Sequence, residues 1–339
     1  MKNRRYGSIL TVLILAAVSF AGCGDSGTDN DDGDSDTTAR NYRQDMRQFV
    51  QNISGYAKSE QSGFIVIPQN GHELLTVTGE EDGAPAGDYI AAIDGVGRED
   101  LVYGYTTDNS PTPEPEWDYM AAFMDIAEAN GVEVLVTDYC YTPALMDDSY
   151  EKNNNAGYIS FAADHRELDN IPFYPETPYN VNTDDIASLS EAKNFLYLLN
   201  PGSFGSKNAF LSAVGNADYD VLIIDLFYEG TEPLTKSEID ALKEKSGGAS
   251  RLVIAYMSIG EAEDYRYYWD GDWMKTAPSW LAGENPDWQG NYKVRYWDET
   301  WQEIIYGNDN SYLKKIIDAG FDGVYLDIID AYEYFEDME

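Results

Sequence analysis

Short apolar runs alternate with amphipathic segments along the chain, and this alternation predicts strands followed by helices. Apolar runs bounded by Gly, Pro or acidic residues predict buried strands, and they lie at 64–67, 90–97, 132–136, 157–162, 195–199, 221–224, 252–257 and 320–327. Apolar residues at helical spacing predict helices, and they lie at 41–58, 117–130, 206–214, 234–245 and 312–319. Strands that alternate with helices form parallel sheets, so the sequence predicts an α/β fold.

Two stretches interrupt this alternation. Residues 171–185 are rich in Pro, Asn and Tyr, and they predict an extended connector without a helix or a buried strand. Residues 269–301 hold six of the seven tryptophans. That segment predicts irregular structure with one short strand at 293–297.

Polar or acidic side chains follow the predicted strands at the points where they end, namely Asn70, Glu99, Asp138, Asp225, Glu261 and Asp327. The carboxyl ends of the strands of a (β/α)8 barrel lie on one ring, so residues far apart in sequence meet at one mouth. We therefore predict a single-domain (β/α)8 TIM barrel over residues 41–339, with its chemistry at that mouth.

Composition narrows the chemistry that this mouth can perform. The formal net charge of −39 argues against a nucleic-acid partner, because the protein repels phosphate. With only two histidines, a His-rich zinc site and a Ser-His-Asp triad are disfavoured, so no metal or cofactor is expected. The 27 tyrosines and seven tryptophans suit either a sugar-binding cleft or an aromatic-rich core. We expect a monomer.

The first 40 residues predict targeting and tethering. Residues 1–22 combine a basic start with an apolar core and small residues, which predicts a signal peptide. Phe20-Ala21-Gly22-Cys23 resembles the lipobox of bacterial lipoproteins, which implies lipidation at Cys23. Residues 23–40 predict a disordered acidic linker. These features place the domain in the bacterial cell envelope, lipid-anchored and extracytoplasmic; a plain secretory signal is the alternative.

Convergent carboxylates without a metal-ligand set suit glycoside hydrolysis. One carboxyl protonates the leaving oxygen, and the other supports an oxocarbenium-like centre or activates water. Crowding raises the pKa of one of them. Structural interpretations stay open: Asp225 as the cap of the following turn, Asp138 as the anchor of a loop, and Glu263 with Arg266 as a local ion pair.

Three motifs carry a family resemblance: Asp225-Leu226-Phe227, the run from Ala255 to Arg266, and the run from Gly320 to Asp330. Together they resemble glycoside hydrolase family 114, the endo-α-1,4-polygalactosaminidases and their relatives, over residues 41–339. The resemblance implies that Asp327 is nucleophile or electrostatic stabiliser and that Glu99 is general acid/base. It also implies a substrate-binding set, which we assign to Asp225, Glu261, Asp330, Asn70, Asp138, Tyr256, Trp297 and Arg266.

The order of the strands differs from that of the family. Members usually begin with the strand that resembles 195–199, and they place those resembling 64–71, 93–101 and 134–139 after the Asp327 strand. In this chain those units come first. We therefore predict a circular permutation in which the helix at 41–58 completes the unit begun by 320–336.

The predicted function is that of a glycoside hydrolase. It cleaves an α-linked polysaccharide, with galactosamine as a candidate component, by a two-carboxylate mechanism. The alternative is a non-catalytic carbohydrate-binding surface lipoprotein on the same barrel. The predicted partners are the polysaccharide and, through Cys23, the membrane.

Overall fold

The computed structural model describes residues 40–338. The predicted signal peptide, Cys23 and nearly all of the predicted linker lie outside these residues and stay predictions. Within the described part of the chain, no helix is long and apolar enough to cross a membrane.

Eight parallel strands form two sheets, which confirms the predicted α/β class. The first sheet has five strands in the order β1, β13, β9, β6 and β5, and the second has the order β2, β3 and β4. The strands are β1 (Ile65–Pro68), β2 (Gly95–Glu99), β3 (Glu133–Tyr139), β4 (Ile159–Ala163), β5 (Phe195–Leu198), β6 (Val221–Asp225), β9 (Leu252–Ser258) and β13 (Gly323–Asp327).

The two sheets adjoin at both of their edges. A parallel bridge joins Gln69, just past β1, to Gly97 of β2. On the other side, the rings of Phe161 in β4 and Phe195 in β5 lie 5.7 Å apart. The hydrogen-bonded ladder is therefore interrupted between β4 and β5 in the described residues, and the eight strands follow one another in chain order around the two sheets.

Helices connect most of these strands and pack on their outer faces. They are α1 (Tyr42–Glu60), α2 (Gly87–Ile90), α3 (Glu114–Ala129), α4 (Pro143–Ala156), α5 (Lys207–Gly215), α6 (Lys236–Leu242), α7 (Glu299–Ile305), α8 (Tyr312–Ala319) and α9 (Ala331–Glu336). A capping box begins α6, since Thr235 N donates to Glu238 Oε2 at 2.6 Å and Glu238 N donates to Thr235 Oγ1 at 3.3 Å.

Two small antiparallel sheets lie at the carboxyl ends of the parallel strands. One sheet joins β10 (Glu261–Glu263), β12 (Asn291–Val294) and β11 (Leu281–Glu284), and a two-stranded pair joins β7 (Phe227–Tyr228) to β8 (Glu232–Pro233). The strand predicted at 293–297 is thus observed at 291–294 and belongs to this small sheet.

The strand predicted at 90–97 begins only at Gly95. Residues 87–90 form the short helix α2, and the Asp94 carboxylate accepts a hydrogen bond from Val66 N at 2.9 Å. This contact turns the chain into the sheet just before Gly95. The apolar run therefore combines the end of a helix with the start of a strand, and hydrophobicity alone does not separate them.

Tyrosine rings fill the space enclosed by the parallel strands. Tyr197 and Tyr325 lie with their ring centroids 5.1 Å apart, and Tyr197 donates a hydrogen bond to Gln69 Oε1 at 3.0 Å. A Cβ atom added to Gly97 would lie 1.9 Å from the Tyr325 hydroxyl. Gly97 is therefore required for Tyr325 to reach across from β13 to β2.

Candidate active site

The carboxyl ends of neighbouring strands bring the predicted acidic residues to one edge. Asp327 is aligned with Ser258 in β9, and Asp225 is aligned with Tyr256 of the same strand. On the other side, β13 pairs with β1, which the bridge at Gln69 joins to β2. Glu99 and Asp327 therefore stand on either side of β1.

Glu99 is held by two neutral donors. Tyr139 donates its hydroxyl proton to Glu99 Oε1 in a short hydrogen bond, and Asn70 Nδ2 donates to Glu99 Oε2 at 3.1 Å. The Asn70 side chain also accepts from Glu99 N at 3.2 Å. Both oxygens of Glu99 therefore receive a hydrogen bond, which fixes the orientation of its carboxyl group.

Asp327 is also held at both oxygens. Tyr256 donates its hydroxyl proton to Oδ2 at 2.7 Å, and Ile328 N donates to Oδ1 at 2.9 Å. Burial, followed by the nearby charge of Glu99, raises the pKa of Asp327 to about 8. The Asp327 carboxyl group therefore binds a proton more readily than an exposed aspartate does.

Three backbone positions next to this pair have left-handed conformations in residues other than glycine. Asn70, Asp100 and Ile328 have φ values of 60°, 58° and 60°. Ile328 is β-branched, and such a residue rarely adopts this conformation. Backbone strain of this kind concentrates at functional sites. Here the three positions lie directly after β2 and β13, which carry Glu99 and Asp327, and just after β1.

Asp138 does not reach the mouth, and its predicted contact with substrate is corrected. Its side chain is fully buried and accepts from Val102 N, Tyr103 N, Ser149 and Asn153. Side chains alternate between the two faces of a strand, so Tyr139 points inward to Glu99 while Asp138 points outward to α4. The structural alternative, an aspartate that anchors a loop, is therefore the observed one.

Arg266 is likewise corrected from a substrate-binding residue to a buried ion-pair partner. Its side chain is 1% exposed and contacts Asp225 at 2.7 Å and Glu263 at 2.5 Å. Asp225 also accepts from Phe227 N at 2.8 Å, which caps the following turn. Asp225 keeps 11% of its side chain exposed at the edge of the mouth.

Glu261 and Asp330 differ in their access to the mouth. The Glu261 side chain is 2% exposed and accepts from Asn285 Nδ2 at 2.8 Å, with Lys293 Nζ at 3.4 Å, so its predicted substrate contact is corrected as well. Asp330 is partly buried, three residues after Asp327. Burial, together with the charges of Glu73 and Glu261, raises its pKa.

Trp297 packs away from the carboxylate pair. Its ring lies 5.1 Å from Tyr42 and 4.7 Å from Phe335, and the Arg40 guanidinium stands 4.7 Å from its centroid. These residues belong to or adjoin the ends of α1 and α9, and none of them contacts Glu99 or Asp327. The ring therefore packs the start of α1 against the end of α9, and its predicted substrate contact stays a prediction.

Two site residues were not singled out from the sequence. Tyr139 holds Glu99, and Tyr325 lies fully buried with its hydroxyl against Gly97, unpaired among the described residues. Strand alternation is the signal that could have identified them. Tyr139 shares the inward face of β3 with Thr137, and Tyr325 shares the inward face of β13 with Asp327.

The stability of the protein is expected to fall as pH rises from about 4 to about 8, because folding raises the pKa of Asp327. Over this range the folded state binds a proton that the unfolded state has released, so the free energy of unfolding decreases by the order of a few kcal/mol. Asp327→Asn removes this dependence. The melting temperature of Asp327→Asn should exceed that of the wild type by a growing margin as pH rises toward about 8.

The matched control for this measurement is Asp82→Asn, since Asp82 is exposed. Its melting curve should follow that of the wild type at every pH. Parallel pH profiles for wild type and Asp327→Asn would contradict the raised pKa.

Within residues 40–338, no group of three or more His, Cys, Asp or Glu side chains is arranged to hold a metal ion. The groups that surround Glu99 and Asp327 are tyrosine hydroxyls, an asparagine amide and backbone N–H. The carboxyl pair can donate a proton, accept one and stabilise a positive centre, which are the elements of general acid–base catalysis.

Comparison with known proteins finds a family match for about the second half of the chain. The model of Glycoside-hydrolase family GH114 matches residues 176–339. The match confirms the predicted resemblance for those residues. It includes Asp327 and Tyr256, whereas Glu99, Asn70 and Tyr139 precede it.

Curated relatives each match part of the chain. An uncharacterized protein of Methanocaldococcus jannaschii is 41% identical over 181 residues, which cover 52% of this chain and 49% of the relative. Uncharacterized proteins of Thermotoga maritima and Deinococcus radiodurans are 38% and 42% identical over 144 and 123 residues. These cover 42% and 36% of this chain, and 40% and 37% of the relatives. The chain thus spans about half the length, or less, of the curated relatives it matches.

Proposed function

We propose, from the match of residues 176–339 to glycoside-hydrolase family GH114, that the protein hydrolyses a glycosidic bond in a polysaccharide. The observation that carries the proposal is the Glu99–Asp327 pair, in which each carboxyl group accepts a hydrogen bond from its own tyrosine and the pKa of Asp327 is raised. A pair with one protonated and one ionised member supplies both groups that glycoside hydrolysis requires.

Asp327 is the proton donor in this proposal, and Glu99 is the ionised partner. Asp327 lies between the negative charges of Glu99 and Asp330, which favour its protonated form. Glu99 accepts the Tyr139 and Asn70 hydrogen bonds, one at each oxygen, and this orients its carboxyl group beside Asp327. This reverses the roles that the family resemblance implies, and the reversal is testable with the variants described in the Discussion.

In the reaction, the glycosidic C–O bond breaks as Asp327 gives its proton to the leaving oxygen. Glu99 stabilises the positive charge that develops at the sugar ring, or activates water against it, and one water molecule is consumed for each bond cleaved. Asp225, Asp330 and Asn70 lie around the pair and are proposed to position the substrate. The proposed substrate is an α-linked polysaccharide that contains galactosamine.

The eight parallel strands are proposed to form one (β/α)8 barrel with a permuted strand order. Support comes from the Gln69–Gly97 bridge on one side and from the Phe161–Phe195 contact on the other. The pairing of β1 with β13 also supports a barrel, because it brings the first strand beside the last one. A crystal structure with β4 and β5 separated by solvent would contradict a closed barrel.

The lipid anchor at Cys23 is proposed on the lipobox alone. A Cys23→Ala variant should move from the membrane fraction to the soluble fraction of fractionated cells. Retention of this variant in the membrane fraction would refute the anchor without bearing on the catalytic proposal.

The direct test of function is a screen for new reducing ends. The purified protein is incubated with a panel of polysaccharides that includes partly deacetylated galactosamine polymers, and reducing ends are quantified. Their release supports the proposal. Binding to a glycan array without release of reducing ends would instead support a non-catalytic carbohydrate-binding protein.

A further inference from the structure

Arg166, on the connector between β4 and β5, contacts Tyr139 and Asp100, two residues that lie next to Glu99. Arg166 stands with its guanidinium carbon 3.8 Å from the centroid of the Tyr139 ring. It also donates two hydrogen bonds to Asp100, at 2.8 and 3.2 Å. Tyr139 is the donor to Glu99 Oε1, and Asp100 is the residue that follows Glu99 in the chain.

Arg166 is itself firmly held. Its Nε donates to Asp108 at 2.6 Å, its Nη2 donates to Gly104 O at 3.1 Å, and its side chain is only 15% exposed. A Cβ atom added to Gly104 would lie 2.0 Å from Asp100 Oδ1 and 3.0 Å from Arg166 Nη2. Gly104 thus makes room for this arrangement, and the guanidinium has one well-defined position.

We propose that Arg166 is a positioning residue for Glu99, an inference that rests on the proposed function. The guanidinium packs on the face of the Tyr139 ring through a cation–π contact, and this fixes the direction of the hydroxyl that binds Glu99. Its bidentate bond to Asp100 fixes the left-handed turn that immediately follows Glu99. Two independent contacts thus converge on one carboxylate.

The location of Arg166 extends this role to the connector. Residues 164–194 run from the end of β4 to the start of β5 with little regular structure, and Arg166 is the third of them. The contacts of Arg166 therefore hold the start of this connector in place and, at the same time, fix the position of Glu99. Arg166 precedes the segment that matches the family model, so that match does not assign it a role.

Three variants test the proposal, with Arg40→Met as the matched control. Arg40 also stacks on an aromatic ring and pairs with an aspartate, Trp297 and Asp45, but away from the carboxylate pair. Arg166→Met removes both contacts. Arg166→Lys keeps the charge without the bidentate geometry. Tyr139→Phe keeps the stacked ring and removes only the hydroxyl.

Crystal structures of the variants give a readout that does not depend on activity. In Arg166→Met, the Tyr139 hydroxyl is expected to leave Glu99 Oε1 and the Glu99 side chain to shift. Arg166→Lys should show a smaller shift. An unmoved Tyr139 and Glu99 in Arg166→Met would overturn the proposal, whether or not the wild type hydrolyses any polysaccharide.

Kinetics on the active polysaccharide give the second readout. A displacement of about 1 Å can lower kcat about 100-fold, and Arg166→Met is expected to approach this loss with KM changed less than about twofold and the pH–rate profile shifted. Tyr139→Phe should give a similar loss, and the double variant little more, because both act through one hydrogen bond. If Arg166→Met fails to fold, Arg166→Lys and Tyr139→Phe still decide. A kcat and pH profile equal to those of Arg40→Met would overturn the proposal.

Discussion

Asp327→Asn and Glu99→Gln are each expected to lose nearly all turnover while the protein stays folded. Each substitution keeps the shape of the side chain and removes its ability to exchange a proton or carry a charge. A positioned acid or base contributes about 100- to 10,000-fold to the rate, so kcat should fall by at least that range. Reducing-end assays measure the loss, and circular dichroism checks the fold.

The two variants should also differ from each other. An aryl glycoside with an acidic leaving group needs no proton from the enzyme, so the variant that lacks the proton donor retains activity on it. We expect this of Asp327→Asn. The Glu99→Gln variant should stay inactive on the same substrate, with azide as a small anion restoring turnover. If instead Glu99→Gln retains activity on the aryl glycoside and Asp327→Asn does not, Glu99 is the general acid, as the family resemblance implies. Unchanged turnover in either variant would refute the role assigned to that residue.

Arg266→Met is expected to cause the largest loss of stability in the described part of the chain. The substitution leaves Asp225 and Glu263 buried without the cation that pairs with both of them. Breaking a buried ion pair by removal of one partner costs about 3–5 kcal/mol. Urea denaturation at neutral pH measures the change in the free energy of unfolding.

The loss should shrink as pH falls, because burial raises the pKa of Asp225 and this carboxyl group then binds a proton in the folded variant. Lys275→Met provides the control, since the Lys275–Asp272 pair is 80% and 78% exposed. That pair should contribute less than about 1 kcal/mol. A loss below about 1 kcal/mol in Arg266→Met would contradict the account of this buried cluster.

The meeting of strand ends was predictable because a parallel strand has a direction. The apolar run before Asp327 and the one before Glu99 each fix where a carboxyl group emerges, and parallel pairing then places both at the same edge. The sequence did not separate the inward from the outward residue at the end of β3. There Asp138 and Tyr139 are adjacent, and only the alternation along the strand identifies Tyr139 as the site residue.

Other features depend on contacts that no local pattern carries. Helix α4 was missed because residues 143–156 include three consecutive asparagines and only a weak apolar face. Arg166 lies 66 residues from Asp100 on an irregular connector, so nothing in its local sequence indicates the partner. Arg266 looked like a substrate ligand because its burial between two carboxylates is a tertiary property.

The raised pKa of Asp327 is also a property of the assembled site. Its causes are burial and the charges of Glu99 and Asp330, and Glu99 comes from a strand more than 200 residues earlier in the chain. Crowded carboxyl groups were predicted from the sequence. Which member of the pair keeps the proton followed only from the packing around each one.

Hydrolysis in water enriched in oxygen-18 tests the central claim most directly. The purified protein is incubated with a galactosamine-containing polysaccharide in this water, and the masses of the products are measured by mass spectrometry. The account predicts one heavy oxygen at each new reducing end in the wild type, and none above background in Asp327→Asn or Glu99→Gln. Bound polysaccharide of unchanged length in the wild type, with no labelled ends across the panel, would contradict it.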